Sequence, residues 1–263
     1  MAQPHLTDWL SSVPALVAEF AERWELTVGE PYAGGAGGYV VRADRADGTR
    51  AVLKIAFPHR ESEQEADALA RWKGEGAVKL LERDAEHGAL LVERCEPGIF
   101  LADSDVDHLA VFIDLLPRLW RSGEGFQTVA DEAEHWIDGD LLESRYGDIA
   151  IGLLRELVPT QGEHVLLHQD LHGENVLAAE REPWLVIDPK PLAGEREFAV
   201  APIVRSRELG HSRRDVRYRL DRLTSELGLD RERARGWTVA QTIAWSGGSE
   251  PIATHRETVE WLL

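Results

Sequence analysis

The hydrophobic pattern of this chain changes period once, near residue 95, and that change limits the folds open to it. Before it lie short runs rich in β-formers, at 25–28, 39–42, 51–57, 78–82 and 89–93. Two of their connections, 44–48 ending in Asp-Gly and 84–88 ending in His-Gly, read as hairpin turns. A helix is expected over 12–24, where Val13, Leu16, Val17, Phe20 and Trp24 share a face and Ser12 and Pro14 suit a helix start. A second interrupts the strands at 61–73, with Ala66, Leu69, Ala70 and Trp72 as its apolar side. After Glu96-Pro97-Gly98 the spacing turns helical, through Leu109, Phe112, Ile113, Leu116 and Leu119 and again across 141–158. Short β runs return only at 165–168, 175–178 and 184–187, and 196–263 reads as helices. The expectation is an α+β chain of two lobes: 1–94, a small antiparallel sheet with one inserted helix, and 95–263, larger and mostly helical.

Composition narrows the function classes. A single cysteine, Cys95, rules out an intrachain disulfide scaffold and suits a reducing cytoplasm. No apolar run approaches a membrane span, and residues 1–12 carry no basic leader, so a cytoplasmic protein is expected. The net charge of −18 argues against a nucleic-acid partner and favours cationic ones. Of 29 basic residues only four are lysines, Lys54, Lys73, Lys79 and Lys190, so each is a candidate for a specific task.

The most informative segment is His168-Gln-Asp-Leu-His-Gly-Glu-Asn175, between two β runs, followed by Ile187-Asp-Pro-Lys190 at the end of the next. Asp170, Asn175 and Asp188 are three oxygen-bearing side chains at turn positions. Phosphoryl transfer uses such a set: a carboxylate to orient the attacking hydroxyl, and an amide and a second carboxylate to hold Mg²⁺ on nucleotide phosphates. His168 and His172 flank Asp170 in the manner of a metallohydrolase, but no further histidine cluster accompanies them.

With these motifs the chain resembles the kinase-like phosphotransferases, and within them the aminoglycoside phosphotransferases of the streptomycin 6-phosphotransferase and hydroxyurea phosphotransferase branch. The resemblance runs from about residue 32 to 205. It implies a two-lobed protein-kinase-like fold, ATP and Mg²⁺ as cofactors, Asp170 as the catalytic carboxylate, and Asn175 and Asp188 as metal ligands. Lys54, in the strand Ala51-Val-Leu-Lys-Ile55, is then the phosphate-binding lysine. Glu65 is its partner, with Glu61 and Glu63 as competitors. The glycine-rich turn holding Gly34, Gly35, Gly37 and Gly38 reads as a hairpin lid over ATP, since neither a Walker A pattern nor a dinucleotide fingerprint is present. Glu93, Arg94 and Cys95 fall where the resembled family binds adenine through backbone groups.

The implied acceptor is a hydroxyl-bearing small molecule, and the implied assembly a monomer or weak homodimer. Residues 122–144 hold seven acids and no Lys or Arg, which suits a cationic acceptor or solvated helix ends. The stretch 205–235, with ten arginines and six acids, reads as a charged helix face. One departure stands out: Ala199 follows Phe198 where the resembled family usually has an Asp that braces the catalytic region. A kinase of a sugar or other metabolite and a nucleotide-binding pseudokinase are the rival readings.

Overall fold

The computed structural model describes residues 5–32, 37–141, 144–246 and 252–263. The chain divides into two compact units, Met1–Ile99 with Leu177–Pro189, and Phe100–Val176 with Lys190–Leu263.

The first unit opens with helix α1 (Leu6–Arg23), followed by strands β1 (Leu26–Pro31), β2 (Gly38–Arg45) and β3 (Arg50–Ala56), helix α2 (Glu65–Trp72), and strands β4 (Leu80–Asp84) and β5 (Ala89–Glu93). The five strands form one antiparallel sheet in the order β1-β2-β3-β5-β4. Strand periodicity then decides the two faces. Ala51, Leu53 and Ile55 of β3 are buried in one cluster with Trp9, Val13 and Phe20 of α1. The residue between Leu53 and Ile55 must therefore emerge on the opposite face, and that residue is Lys54. Gly38 is required where β2 meets β3, because a Cβ there would stand 2.6 Å from the Ile55 carbonyl oxygen.

α1 begins six residues earlier than periodicity suggests, and Pro14 lies inside it rather than at its start. Trp9 explains the extension: it is buried edge-on against Phe57, at 5.3 Å between ring centroids, which anchors the turn ahead of the proline. Leu10, whose carbonyl loses its helical partner to Pro14, is exposed to water.

Strand β6 (Pro97–Phe100), β8 (Val176–Ala179) and β9 (Trp184–Val186) make a three-stranded sheet, and β6 was not foreseen from its Pro-Gly start. Arg181, in the turn between β8 and β9, donates to both carboxylate oxygens of Glu93 and to the carbonyls of Gly74 and Ala77.

The second unit holds helices α3 (His108–Leu119), α4 (Val129–His135) and α5 (Arg145–Leu157), strand β7 (Val165–Leu167), strand β10 (Leu192–Gly194), and helices α6 (Ala201–Arg205), α7 (Arg213–Leu227), α8 (Arg231–Ala244) and α9 (Ala253–Leu262). β10 pairs antiparallel with β7, a match too short to announce itself in sequence. α8 is the centre of this unit: residues 236–244 are all buried, and α5, α6, α7 and α9 pack around it. Gly236 permits the approach of α5, since a Cβ there would lie 3.0 Å from Leu157.

Glu195, just after β10, ties these elements together. Its buried carboxylate accepts from both Nε and Nη2 of Arg233, from the Trp237 indole and from the Gly162 amide. Truncating one partner of a buried ion pair strands the other, so Glu195→Ala is expected to cost about 3 kcal/mol in urea unfolding.

A pH dependence follows from α9. His255 is pushed down to about 4, by burial first and then by the nearby Arg205 guanidinium. The folded state thus holds it neutral while the unfolded chain protonates near 6.5. Its contribution to stability is complete above pH 6.5 and is lost as pH falls toward 4. The melting temperature should fall between these limits in the wild type, and less steeply in His255→Gln.

Candidate active site

In the first unit, Lys54 is 8% exposed and Glu65 3%. The Lys54 ammonium lies 2.8 and 2.7 Å from the two carboxylate oxygens of Glu65 and also donates to Asp188. Burial disfavours the ammonium, but the carboxylates of Glu65 and Asp188 outweigh it and raise its pKa above that of an ordinary lysine. Of the three glutamates that competed for Lys54, Glu61 lies in a short 3₁₀ turn at 60–62 and Glu63 just beyond it, while Glu65 opens α2. Asp188 has a left-handed backbone, φ +54°, a conformation an aspartate tolerates better than most residues.

The positions expected to bind nucleotide are less uniform. Gly34 and Gly35 lie outside the described residues; Gly37 accepts the Phe57 amide through its carbonyl, and Gly38 opens β2. The Glu93 carboxylate is held by Arg181 and the Lys79 amide, and its own N–H donates to the Lys79 carbonyl. The Arg94 N–H donates to Arg50. Among the described residues the Cys95 N–H makes no hydrogen bond. The Cys95 thiol is an inert group: burial, with Glu93 nearby, pushes it up to about 12.

In the second unit the loop 168–175 is folded on itself. The Asp170 and Lys190 amides both donate to the His168 carbonyl, at 2.8 and 3.1 Å. The Asn175 side-chain nitrogen donates to the Asp170 carbonyl at 2.7 Å. A carbonyl only accepts, so the amide must present nitrogen there, and its oxygen is the end that remains to ligate a cation. An amide oxygen, like the carboxylate that Asp188 offers in the first unit, is the donor type that a hard ion such as Mg²⁺ takes.

His172 and Glu208 secure the same loop. The His172 Nδ1 is 3.1 Å from a Glu208 oxygen, and the Gly173 amide donates to the other at 2.7 Å. Burial works against the His172 imidazolium, but the Glu208 bond and the Asp170 charge raise its pKa. Gly173 is required here, since a Cβ would stand 2.9 Å from the Ala102 backbone nitrogen. Among the described residues, His172, Glu174 and Glu208 form the one cluster of potential metal-ligating atoms within 4.8 Å, and His168 is outside it.

Asp170 itself faces cations. Lys190 Nζ is 3.0 Å from its carboxylate and His172 Nε2 is 3.9 Å away. Lys190 Nζ also sits 4.8 Å from the centre of the Trp245 ring, and the Arg205 guanidinium 4.5 Å from it. Arg205 is 9% exposed, and burial lowers its pKa to about 10 although Asp170 opposes this. Neither Arg205 nor Trp245 was singled out by the sequence, because both read as ordinary helix residues.

Ala199 is buried beside Phe198, whose ring packs edge-on against Trp237 at 5.3 Å. The loop is braced from α8: Gln241 donates to the carbonyl of Gln169, which is left-handed at φ +64°, and accepts from Arg205 at 2.6 Å. Gln169 in turn reaches the buried Glu132 of α4. Of the other acids at 122–144, Asp131 caps α4 in a reciprocal bond with Thr128, and Glu124, Glu134 and Asp138 are exposed.

The sequence profile of the aminoglycoside/hydroxyurea antibiotic resistance kinase family matches residues 23–249. The chain belongs to that family. It is 40% identical over 251 residues to a hydroxyurea phosphotransferase of Kitasatospora aureofaciens, covering 90% of this chain and 73% of the relative. It is 39% identical over 253 residues to a streptomycin 6-kinase of Streptomyces glaucescens, covering 89% and 82%. Among solved structures, a choline kinase from Streptococcus pneumoniae superposes with a TM-score of 0.66 at 15% identity, over 96% of this chain and 99% of that one, which shows the kinase-like fold. This family member is a phosphotransferase with a hydroxyl acceptor, and no helix among its described residues is long and apolar enough to cross a membrane.

In this kinase Gln241→Leu keeps the volume but strands the Gln169 carbonyl and one Arg205 donor. A loss of about 1–3 kcal/mol is expected in denaturant unfolding, the cost of buried polar groups without partners.

Proposed function

We propose that the protein transfers the γ-phosphoryl group of ATP to a hydroxyl of a streptomycin-like aminoglycoside or related cationic compound. The observation that carries this reading is the loop geometry: Asn175 is oriented by the Asp170 carbonyl so that its oxygen is available, with the Asp170 carboxylate on the same loop. Relatives named for streptomycin and hydroxyurea support the acceptor class.

Lys54, kept charged and fixed by Glu65, holds the α and β phosphates. The Cys95 amide donates to adenine, and the turn with Gly34, Gly35, Gly37 and Gly38 covers the phosphates. Asn175 and Asp188 hold Mg²⁺, which when bound neutralises charge on the phosphate oxygens. Asp170 accepts a hydrogen bond from the acceptor hydroxyl, aims its oxygen at phosphorus for in-line attack, and receives the proton. The protein works in the cytoplasm as a monomer or weak homodimer.

The test is ATP consumption with Mg²⁺ against streptomycin, other aminoglycosides, hydroxyurea, amino sugars and sugars. Turnover with a streptomycin-like compound is expected. Asp170→Asn should lower it by about 10²–10⁴ while sparing nucleotide binding, and Asp188→Ala should abolish it. Wild-type turnover in Asp170→Asn would make the base assignment wrong. Turnover of an amino sugar alone would make the protein a metabolite kinase, and tight Mg-ATP binding without turnover a pseudokinase.

A further inference from the structure

Lys190 is one of only four lysines, and its side chain is placed with unusual care. Its amide donates to the His168 carbonyl, its ammonium rests 4.8 Å from the centre of the Trp245 ring, and the same ammonium is 3.0 Å from the Asp170 carboxylate. We propose that Lys190 is a catalytic residue that contacts the transferred phosphoryl group and neutralises charge on its oxygens during attack. This rests on the assignment of Asp170 above.

Distance makes the case. A hydroxyl oriented by Asp170 sits within hydrogen-bond range of its carboxylate, and phosphorus must come within about 3–3.5 Å of that hydroxyl oxygen for reaction. Lys190 Nζ, 3.0 Å from the same carboxylate, is then within reach of the equatorial phosphoryl oxygens. Its side chain is 29% exposed, so the ammonium keeps an approach open, whereas Arg205 is buried and committed to Gln241. Charge points the same way: the Lys190 ammonium and the Arg205 guanidinium both lie over the Trp245 indole, and positive charge so placed stabilises the negative charge that a phosphoryl group carries in flight. A loose transition state asks little of Asp170 as a base until the P–O bond to the acceptor has formed. The bond to the β-phosphate oxygen breaks as the bond to the acceptor oxygen forms; the proton goes to Asp170, and Lys190 keeps its own.

The competing role is positional: Lys190 would only hold Asp170. Two measurements separate these roles. Calorimetric titration of Mg-ADP, with and without aluminium fluoride as a mimic of the transferred group, needs no acceptor. Lys190→Met should bind Mg-ADP within about twofold of wild type, lose about a hundredfold of the gain conferred by aluminium fluoride, and recover most of it as Lys190→Arg. An unchanged gain in Lys190→Met would overturn the proposal. Repeating the titration in Asp170→Asn completes the test: the loss should persist there, and its disappearance would reduce Lys190 to a positioning residue. Lys190→Arg preserves the charge and the contact with Trp245, so it reports even if Lys190→Met is poorly folded: without a retained gain in this variant the proposal fails. A chain that phosphorylates none of the compounds tested still gives these binding results, so failure of the acceptor assignment is distinguishable from failure of this one.

Discussion

A lysine ammonium taken out of water must be met by a carboxylate, and the first unit is arranged around that requirement at Lys54. The alternation of β3 commits Leu53 and Ile55 to the core under α1, which drives the residue between them to the other face. There α2 supplies Glu65 from its first turn, and the left-handed backbone at Asp188 brings a second carboxylate. Desolvation of one charge is thus offset by two others, and the lysine stays ionised though buried. Without the apolar neighbours the lysine would be an ordinary exposed strand residue, and without the carboxylates it would be a buried charge unable to persist.

Local rules made much of this legible. The five strands of the first sheet lie within a few residues of their β-former runs, and both hairpin turns end on glycines with positive φ, Gly48 and Gly88. The spacing between Asp170 and Asn175 identified a loop whose amide does reach back to the Asp170 backbone. What stayed hidden depends on partners far along the chain. Glu208 meets His172 from 36 residues away and Gln241 meets Gln169 from 72, with no periodicity to mark either. β6 and β10 are short strands defined only by what they pair with. The early start of α1 has the same origin, since it depends on where Trp9 lands and a proline within the helix points the other way.

The turn at Gln169 shows how a loop keeps its shape through a partner distant in sequence. A loop with a left-handed residue at Gln169 presents a carbonyl that must find a donor, and any group reaching it from a rigid element serves. Here the donor is a neutral amide on the buried C-terminal part of α8, held in turn by Arg205. An amide carries no charge to balance. Arg205 donates to it, and the guanidinium lies over Trp245 and under the influence of Asp170. Trp245 is in this way the surface on which two cations are gathered near the Asp170 carboxylate. The amide that fixes the Gln169 carbonyl also fixes Arg205, so the shape of the loop and the placement of positive charge near Asp170 both depend on one side chain of α8.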